Sequence, residues 1–386
     1  MRMNAVWPWL MVVSAGIGLR VGIASVSPLL DRIQTELGVS TAALGLLTAI
    51  PVICMGGLSF MGGAVERRWG LLRSMRIALG VLGIGLLWRG WANGFAVLAM
   101  TAMLVGVGDA LIRPLLSGFI KQTFGNESHA VMGLYAASMG IGAALSAYTT
   151  PHLAVALGSW QWGLGCWAVP VLLALLIWTR RPVPANSPPP RTTAAPRLAA
   201  MGVVWLTLFF GLQAGVNYTV VAWLPSVCLA QGTTASTAAY LMALFLCVQT
   251  LSSLLFPLLL GRMGQRLTLL SLGFAGVTAV GIMVLVMPYG GWIAAALLGI
   301  GTGGLFPIAL SLPLIFSKSG YEATRLSSLS QSGGYALGGL LPWLTGVAVP
   351  MLGATVAVVV LCLTMLIVLM IVIGKVTVYQ RSLRRA

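Results

Sequence analysis

The chain alternates long apolar runs with short polar breaks, and the runs have the length of membrane-crossing helices. Apolar stretches occupy approximately 6–30, 41–64, 71–91, 95–120, 130–156, 161–180, 200–230, 236–260, 267–288, 291–316, 326–349 and 352–375. Each is close to the roughly 20 residues a helix needs to cross a hydrocarbon core of about 30 Å. A helix also satisfies its backbone hydrogen bonds internally, which lipid demands. The pattern predicts an all-α integral membrane protein of twelve transmembrane helices. One long polar stretch, RRPVPANSPPPRTTAAPR at 180–197, is rich in proline and reads as a semi-rigid linker. It divides the chain into an N-terminal six-helix bundle (1–180), a linker (181–199) and a C-terminal six-helix bundle (200–386).

The two halves resemble each other. STAA at Ser40–Ala43 returns at Ser236–Ala239, a shift of 236 − 40 = 196, just before the second span of each half. In the fourth spans, GVGDALIRP (106–114) corresponds to GTGGLFP (301–307) at a shift of 195. Together with the linker, these matches support two pseudo-symmetric repeats of the parallel-repeat transporter kind.

Composition sharpens this picture. Of 386 residues 59% are hydrophobic and 7% charged, against about 25% charged in a soluble domain. Met1–Pro8 leads straight into a full-length span, so no cleavable leader is expected. Cys54, Cys166, Cys228, Cys247 and Cys362 fall in or beside apolar runs without metal-ligand spacing and read as buried small hydrophobes.

A net charge of +16 would suit a nucleic-acid partner, but its distribution points elsewhere. With the N-terminus inside, 18 of the 22 Lys and Arg residues lie on one side, which predicts a bacterial cytoplasmic-membrane protein with both termini cytoplasmic. The exceptions are Arg20 and Arg113 within spans, Arg32 outside, and Arg89 near an outer helix end, where snorkelling is expected. Trp7, Trp178, Trp91, Trp160 and Trp292 fall where interfacial belts are expected. The sequence carries no phosphate-binding glycine–lysine loop, His–Glu metal spacing or serine elbow. A non-enzymatic monomer is expected, without cofactor or metal, whose partners are the bilayer, a small solute and protons.

Several motifs resemble the major facilitator superfamily and, within it, the cyanate porter family. They are Leu19–Arg20 followed by Pro28–Leu29–Leu30, TAIP (48–51), AWLP (222–225), GTGGLFP (301–307) and QSGGYALGGLLPW (331–343). GGAVERRWG (62–70) is similar to the superfamily's loop after the second helix, where an acid and arginines brace a cytoplasmic gate; here those residues are Glu66, Arg67 and Arg68. The resemblance implies two six-helix bundles and alternating-access movement of a small anionic or polar planar solute, cyanate-like in kind. Proton-coupled efflux of small aromatic or drug-like compounds is a second reading, and a non-transporting receptor or scaffold a third.

Arg20 lies about 21 Å into the first helix. A charge at that depth costs about 2.5–3.5 kcal/mol on insertion scales, so it must pair internally or meet a solute. Two roles are open: the positive end of a substrate site, since the resemblance sets the first helix at a central cavity, or an interhelical ion pair with Asp109. Asp109 and Arg113 are spaced four apart in the favourable order for an intrahelical pair. Asp109 also remains a candidate for exchanging partners or carrying a proton. Asn217 and Tyr218 fall almost at Arg20 plus 196, and Gln331 and Tyr335 sit in the eleventh-span motif. All four are candidates for hydrogen bonding the solute, or one another's helices.

Overall fold

The computed structural model describes residues 3–180, 200–263, 267–287 and 290–385. Among them eleven stretches are long and apolar enough to cross a membrane, and the longest, Phe95–Ala156, has 62 residues. At 1.5 Å per residue that is about 93 Å, some three hydrocarbon cores. It comprises two helices, α6 (Phe95–Phe124) and α7 (Ser128–Ala156), separated by a turn at Gly125 with φ +51°. All twelve crossings are therefore helical, and no strand occurs among the described residues. The proline-rich linker expected at 181–199 lies outside the described residues.

The chain forms two compact units. Unit 1 takes in Met1–Gly125, Ser138–Ala195 and Ser317–Ser328; unit 2 takes in Asn126–Ala137, Pro196–Phe316 and Leu329–Ala386. Besides α6 and most of α7, unit 1 holds α1 (Met3–Ala24), α2 (Leu30–Leu37), α3 (Thr41–Leu58), α4 (Gly62–Trp69), α5 (Leu71–Trp88), α8 (Trp160–Gly165) and α9 (Ala168–Arg180). Unit 2 is built on α10 (Ala200–Ala230), α11 (Ala235–Met263), α12 (Leu267–Val284), α13 (Gly291–Ile315), most of α14 (Gly320–Leu352), and α15 (Ala354–Arg385).

The apolar pattern merges features that the structure separates. The first run is not one helix to residue 30. The chain leaves α1 at Ala24, turns through Ser27–Leu29 with Pro28 near the turn's start, and enters the short α2, which stops at Gly38 in the left-handed region (φ +62°). The α2 helix buries Ile33 with Val26, Leu29, Leu47, Leu98, Trp160 and Leu164, while Thr35 and Glu36 stay exposed. Trp160 and Trp178, expected at interfaces, are both fully buried. Each indole N–H finds an acceptor: Trp160 donates to Glu36 Oε2 at 2.6 Å, and Trp178 to the Met11 carbonyl at 3.1 Å. Polar matching inside the unit outweighs the interfacial preference of these two rings. Of the cysteines, Cys54, Cys228 and Cys362 are buried, Cys166 is half-buried and Cys247 is exposed, so the uniform expectation of burial fails at the last two.

The fourth helix of each half sits between the second and third through closely spaced glycines. On α6, Gly106 meets Pro51 and Cys54 of α3, and Gly108 meets Ala78 and Leu82 of α5. On α13, Gly299 meets Phe245 and Val248 of α11, and Gly301 meets Phe274 and Thr278 of α12. A Cβ at any of the four would come within about 3 Å of a neighbouring helix, so glycine is what permits the approach. These contacts set the repeat register of α6 and α13 at 299 − 106 = 193, which also aligns Pro114 with Pro307. The shift of 195 read from residue identity is thereby corrected by two residues. Asp109 then corresponds to Thr302, and Arg113 to Phe306.

The α2 contacts yield a test of pH dependence. Arg32 Nε donates to Glu36 Oε1 at 2.7 Å, and this bond, with the Trp160 indole, holds the Glu36 carboxyl below its ordinary range. A lowered acid contributes stability above the ordinary carboxylate pKa and loses it as pH falls through the lowered value. Melting of purified protein should weaken over that acid window, and Glu36→Gln should remove that part of the dependence. An unchanged acid limb in Glu36→Gln would show that the contact does not contribute.

Candidate solute-binding site

Among the arginines in or beside the spans of unit 1, Arg20, Arg89 and Arg113 are matched differently. Arg113 is bonded through two atoms to Asp109, Nε to Oδ1 at 2.6 Å and Nη2 to Oδ2 at 3.0 Å. Both residues are buried, and Arg113 Nη1 also contacts the Met139 sulfur at 3.4 Å. Arg89, expected to snorkel, is instead 1% exposed. Its Nη1 donates at 2.6 Å to the carbonyl of Gly22, in the last turn of α1, where the negative end of a helix favours a cation. Gly22 leaves room for the approach, since Val105 and Leu86 already crowd its Cα.

Arg20 has neither kind of match. It is half-buried on the α1 stripe Val13–Ile17–Arg20–Ala24, opposite the fully buried Met11, Ala15 and Leu19. It makes no hydrogen bond or ion pair among the described residues. Val105 packs at Gly22, and Asp109 follows one turn later on the antiparallel α6, so Arg20 and the Asp109–Arg113 pair lie at about the same depth. Both Asp109 oxygens are already taken by Arg113, so the interhelical Arg20–Asp109 pair is not formed.

Unit 2 presents an uncharged surface at the equivalent place. Gln249 Nε2 donates to Asn217 Oδ1 at 2.5 Å and to the Thr302 hydroxyl at 2.9 Å, joining α11 to α10 and α13. Thr302 and Phe306 thus stand where unit 1 carries its ion pair. Phe306 contacts Phe210 with ring centroids 6.5 Å apart, and Phe210 meets Tyr335 edge-on at 4.9 Å. Tyr218 is half-buried beside Asn217. Gln331 is wholly buried, and neither atom of its amide has a partner among the described residues. Leaving a buried donor or acceptor bare costs about 1–3 kcal/mol.

The four candidates of unit 2 do not form one cluster. Thr207 lies against Gly333 and Gly215 against Leu341, so α10 and α14 run parallel with a register of 341 − 215 = 126. Asn217 is therefore level with residue 343, twelve residues or about 18 Å along the axis from Gln331. Asn217 belongs with Gln249 and Thr302, whereas Gln331 and Tyr335 belong with Phe210. Gln213, Gln249, Thr302 and Phe210 were not singled out from the sequence. The available signal was the isolated glutamines in otherwise apolar helices, each of which must find a partner.

Comparison with known proteins decides the family. Residues 9–342 match the model of the Major Facilitator Superfamily. The chain belongs to the major facilitator superfamily. It is 32% identical over 346 residues to the cyanate transport protein CynX of Escherichia coli (strain K12), covering 88% of each chain. It is 30% identical over 334 residues to the 2-nitroimidazole transporter of the same organism, covering 85% and 84%. These relatives set it in the cyanate porter family. A crystal structure of the superfamily transporter FucP shares the fold, with TM-score 0.78 at 16% identity over 95% of this chain and 98% of that one.

In this major facilitator chain the gate candidates on α4 are arranged unequally. Glu66 is 6% exposed, and Gly63 N–H donates to Ser328 Oγ at 3.1 Å, tying α4 to α14. Arg67 and Arg68 are exposed, with Arg68 lying 6.0 Å from the Trp69 ring. Neither arginine is ion-paired with Glu66 among the described residues. The acid is buried, whereas the arginines are exposed.

The Asp109–Arg113 pair yields a stability test. Asp109→Asn leaves a buried guanidinium without its counter-charge and should cost about 3–5 kcal/mol. Adding Arg113→Gln should recover most of that loss. Denaturation of purified protein checks both, and additive losses in the double variant would contradict the pairing.

Proposed function

We propose that this transporter moves a small anionic or polar planar solute across the cytoplasmic membrane by alternating access, with Arg20 as the positive end of the solute site. One observation carries this reading: of Arg20, Arg89 and Arg113, only Arg20 has no match among the described residues. Arginine suits the role because it stays protonated when desolvated and presents a planar fork to an anion. Two relatives are named for small solutes, one for cyanate, a linear anion, and one for 2-nitroimidazole, a planar ring. An anion entering a cell with a negative interior climbs about 2.3 kcal/mol per charge per 100 mV, so accumulation requires coupling or exchange. Asp109 carries a proton only if its bond to Arg113 opens.

A second reading, export of small aromatic compounds, draws support from the Phe210–Tyr335–Phe306 cluster. The two readings differ in the direction and voltage dependence of flux in vesicles.

Cyanate uptake into proteoliposomes tests the first reading. Arg20→Lys should weaken it sharply and Arg20→Gln nearly abolish it, with protein inserted at normal levels. Normal flux in Arg20→Gln would move the site elsewhere. The distribution of 18 of 22 basic residues supports an inner orientation for both termini. Tags at both ends should be reachable only from the cytoplasm, and a tag at Ala386 reachable from outside would overturn that topology.

A further inference from the structure

In unit 1, α5 and α9 lie side by side, and each shows an exposed stripe that ends in an arginine. Arg76 Nε donates to the Trp178 carbonyl at 2.9 Å, and Gly83 lies against Val171 and Leu172. Because 76 + 178 and 83 + 171 both equal 254, the two helices run antiparallel in one register. That register sets Arg180 level with Ser74, beside Arg73. The α5 stripe is Arg73–Ile77–Gly80–Ile84 and the α9 stripe is Val169–Leu173–Leu176–Arg180, each following one helix face. Both end arginines and the aliphatic side chains of the two stripes are exposed. A Cβ at Gly80 would meet no atom within 4 Å, so the α5 stripe is open at that point. From Arg73 to Ile84 the axis advances ~16 Å, close to half of a ~30 Å hydrocarbon core.

Arg73, Arg76 and Arg180 therefore gather at one end of an exposed apolar surface about one leaflet deep. None of the three is ion-paired among the described residues, and Glu66, the acid nearest Arg73 in the chain, is buried on α4. The Trp178 carbonyl holds Arg76 through Nε, which leaves its terminal nitrogens to a further acceptor. Guanidinium forks match phosphate oxygens in two-point fashion, and basic sites between spanning helices at headgroup level suit anionic lipid heads. A soluble anion would use the arginines and none of the apolar stripe. We propose that this face seats one anionic phospholipid of the leaflet on the arginine side, its phosphate on Arg73, Arg76 and Arg180 and an acyl chain laid along Gly80. The seat goes beyond the solute reading, and none of its residues belongs to the solute site.

The test uses full-length protein in mixed micelles, titrated with phosphatidylglycerol or with phosphatidylcholine of the same chains. Bound lipid is read by native mass spectrometry and stabilisation by thermal shift. Wild type should retain phosphatidylglycerol, and be stabilised by it, well above phosphatidylcholine. Arg73→Gln and Arg180→Gln should each weaken phosphatidylglycerol about fivefold, the scale of one basic residue at an anionic surface. Lys318→Gln combined with Lys375→Gln removes as much charge as both, at exposed positions outside this face, and should leave the binding unchanged. Gly80→Leu occupies the open place and should also weaken phosphatidylglycerol, while the lipid-free melting temperature holds. Inorganic phosphate at millimolar concentration should give no comparable stabilisation. If the glutamine variants do not insert, Gly80→Leu decides the matter alone. Equal retention of the two lipids, an equal loss in the lysine control, full binding in Gly80→Leu, or equal stabilisation by free phosphate would overturn the proposal.

Discussion

Charge inside an apolar medium must be met by something, and much of unit 1 is arranged around that requirement. A guanidinium at mid-bilayer depth carries a penalty of several kcal/mol unless a carboxylate, a carbonyl or water answers it. Arg113 is answered by the two oxygens of Asp109, and Arg89 by the Gly22 carbonyl at the end of α1. Gly22 keeps α1 close to Val105 of α6 and Leu86 of α5, so the helix that carries Arg20 is fixed by its neighbours while Arg20 itself is left unmatched. A packed scaffold around one uncommitted cation is the physical form expected of a site for a negative or polarised solute.

The repeat architecture then divides labour between the halves. The same glycine geometry mounts α6 on α3 and α5 as mounts α13 on α11 and α12. Unit 1 uses the mount for an ion pair, and unit 2 uses it for Thr302 and Phe306. On the reading proposed above, the charge of unit 1 recognises an anion, whereas the uncharged mount of α13 in unit 2 supplies hydrogen bonds and ring contacts.

The fold was largely legible in the sequence because membrane helices announce themselves by length and composition. The twelve apolar runs are local, additive features of the sequence. What the pattern hid depended on packing. The burial of Arg89 and Trp160 required knowing that Gly22 and Glu36 approach them. The polar chain through Gln249 and Thr302 required knowing which faces of α11 and α13 meet. Asn217 and Gln331 looked like partners because both are polar in apolar spans; only the α10–α14 register separates them. The repeat itself was legible, but letter matching of GVGDALIRP to GTGGLFP drifted by two residues. Glycine recurs so often in these helices that identity alone cannot fix the register, whereas contact with the neighbouring helices can.

The central claim is that the positive charge at position 20 is the solute's counter-charge. It is tested most directly by removing that charge and restoring it chemically. In a Cys247→Ser background, Arg20→Cys should be inactive for cyanate exchange in proteoliposomes. Modification with a methanethiosulfonate bearing an ammonium group should recover part of the flux, and one bearing a sulfonate should not. Cyanate should also slow the modification by occupying the site. Equal flux after either reagent, or modification indifferent to cyanate, would contradict the account.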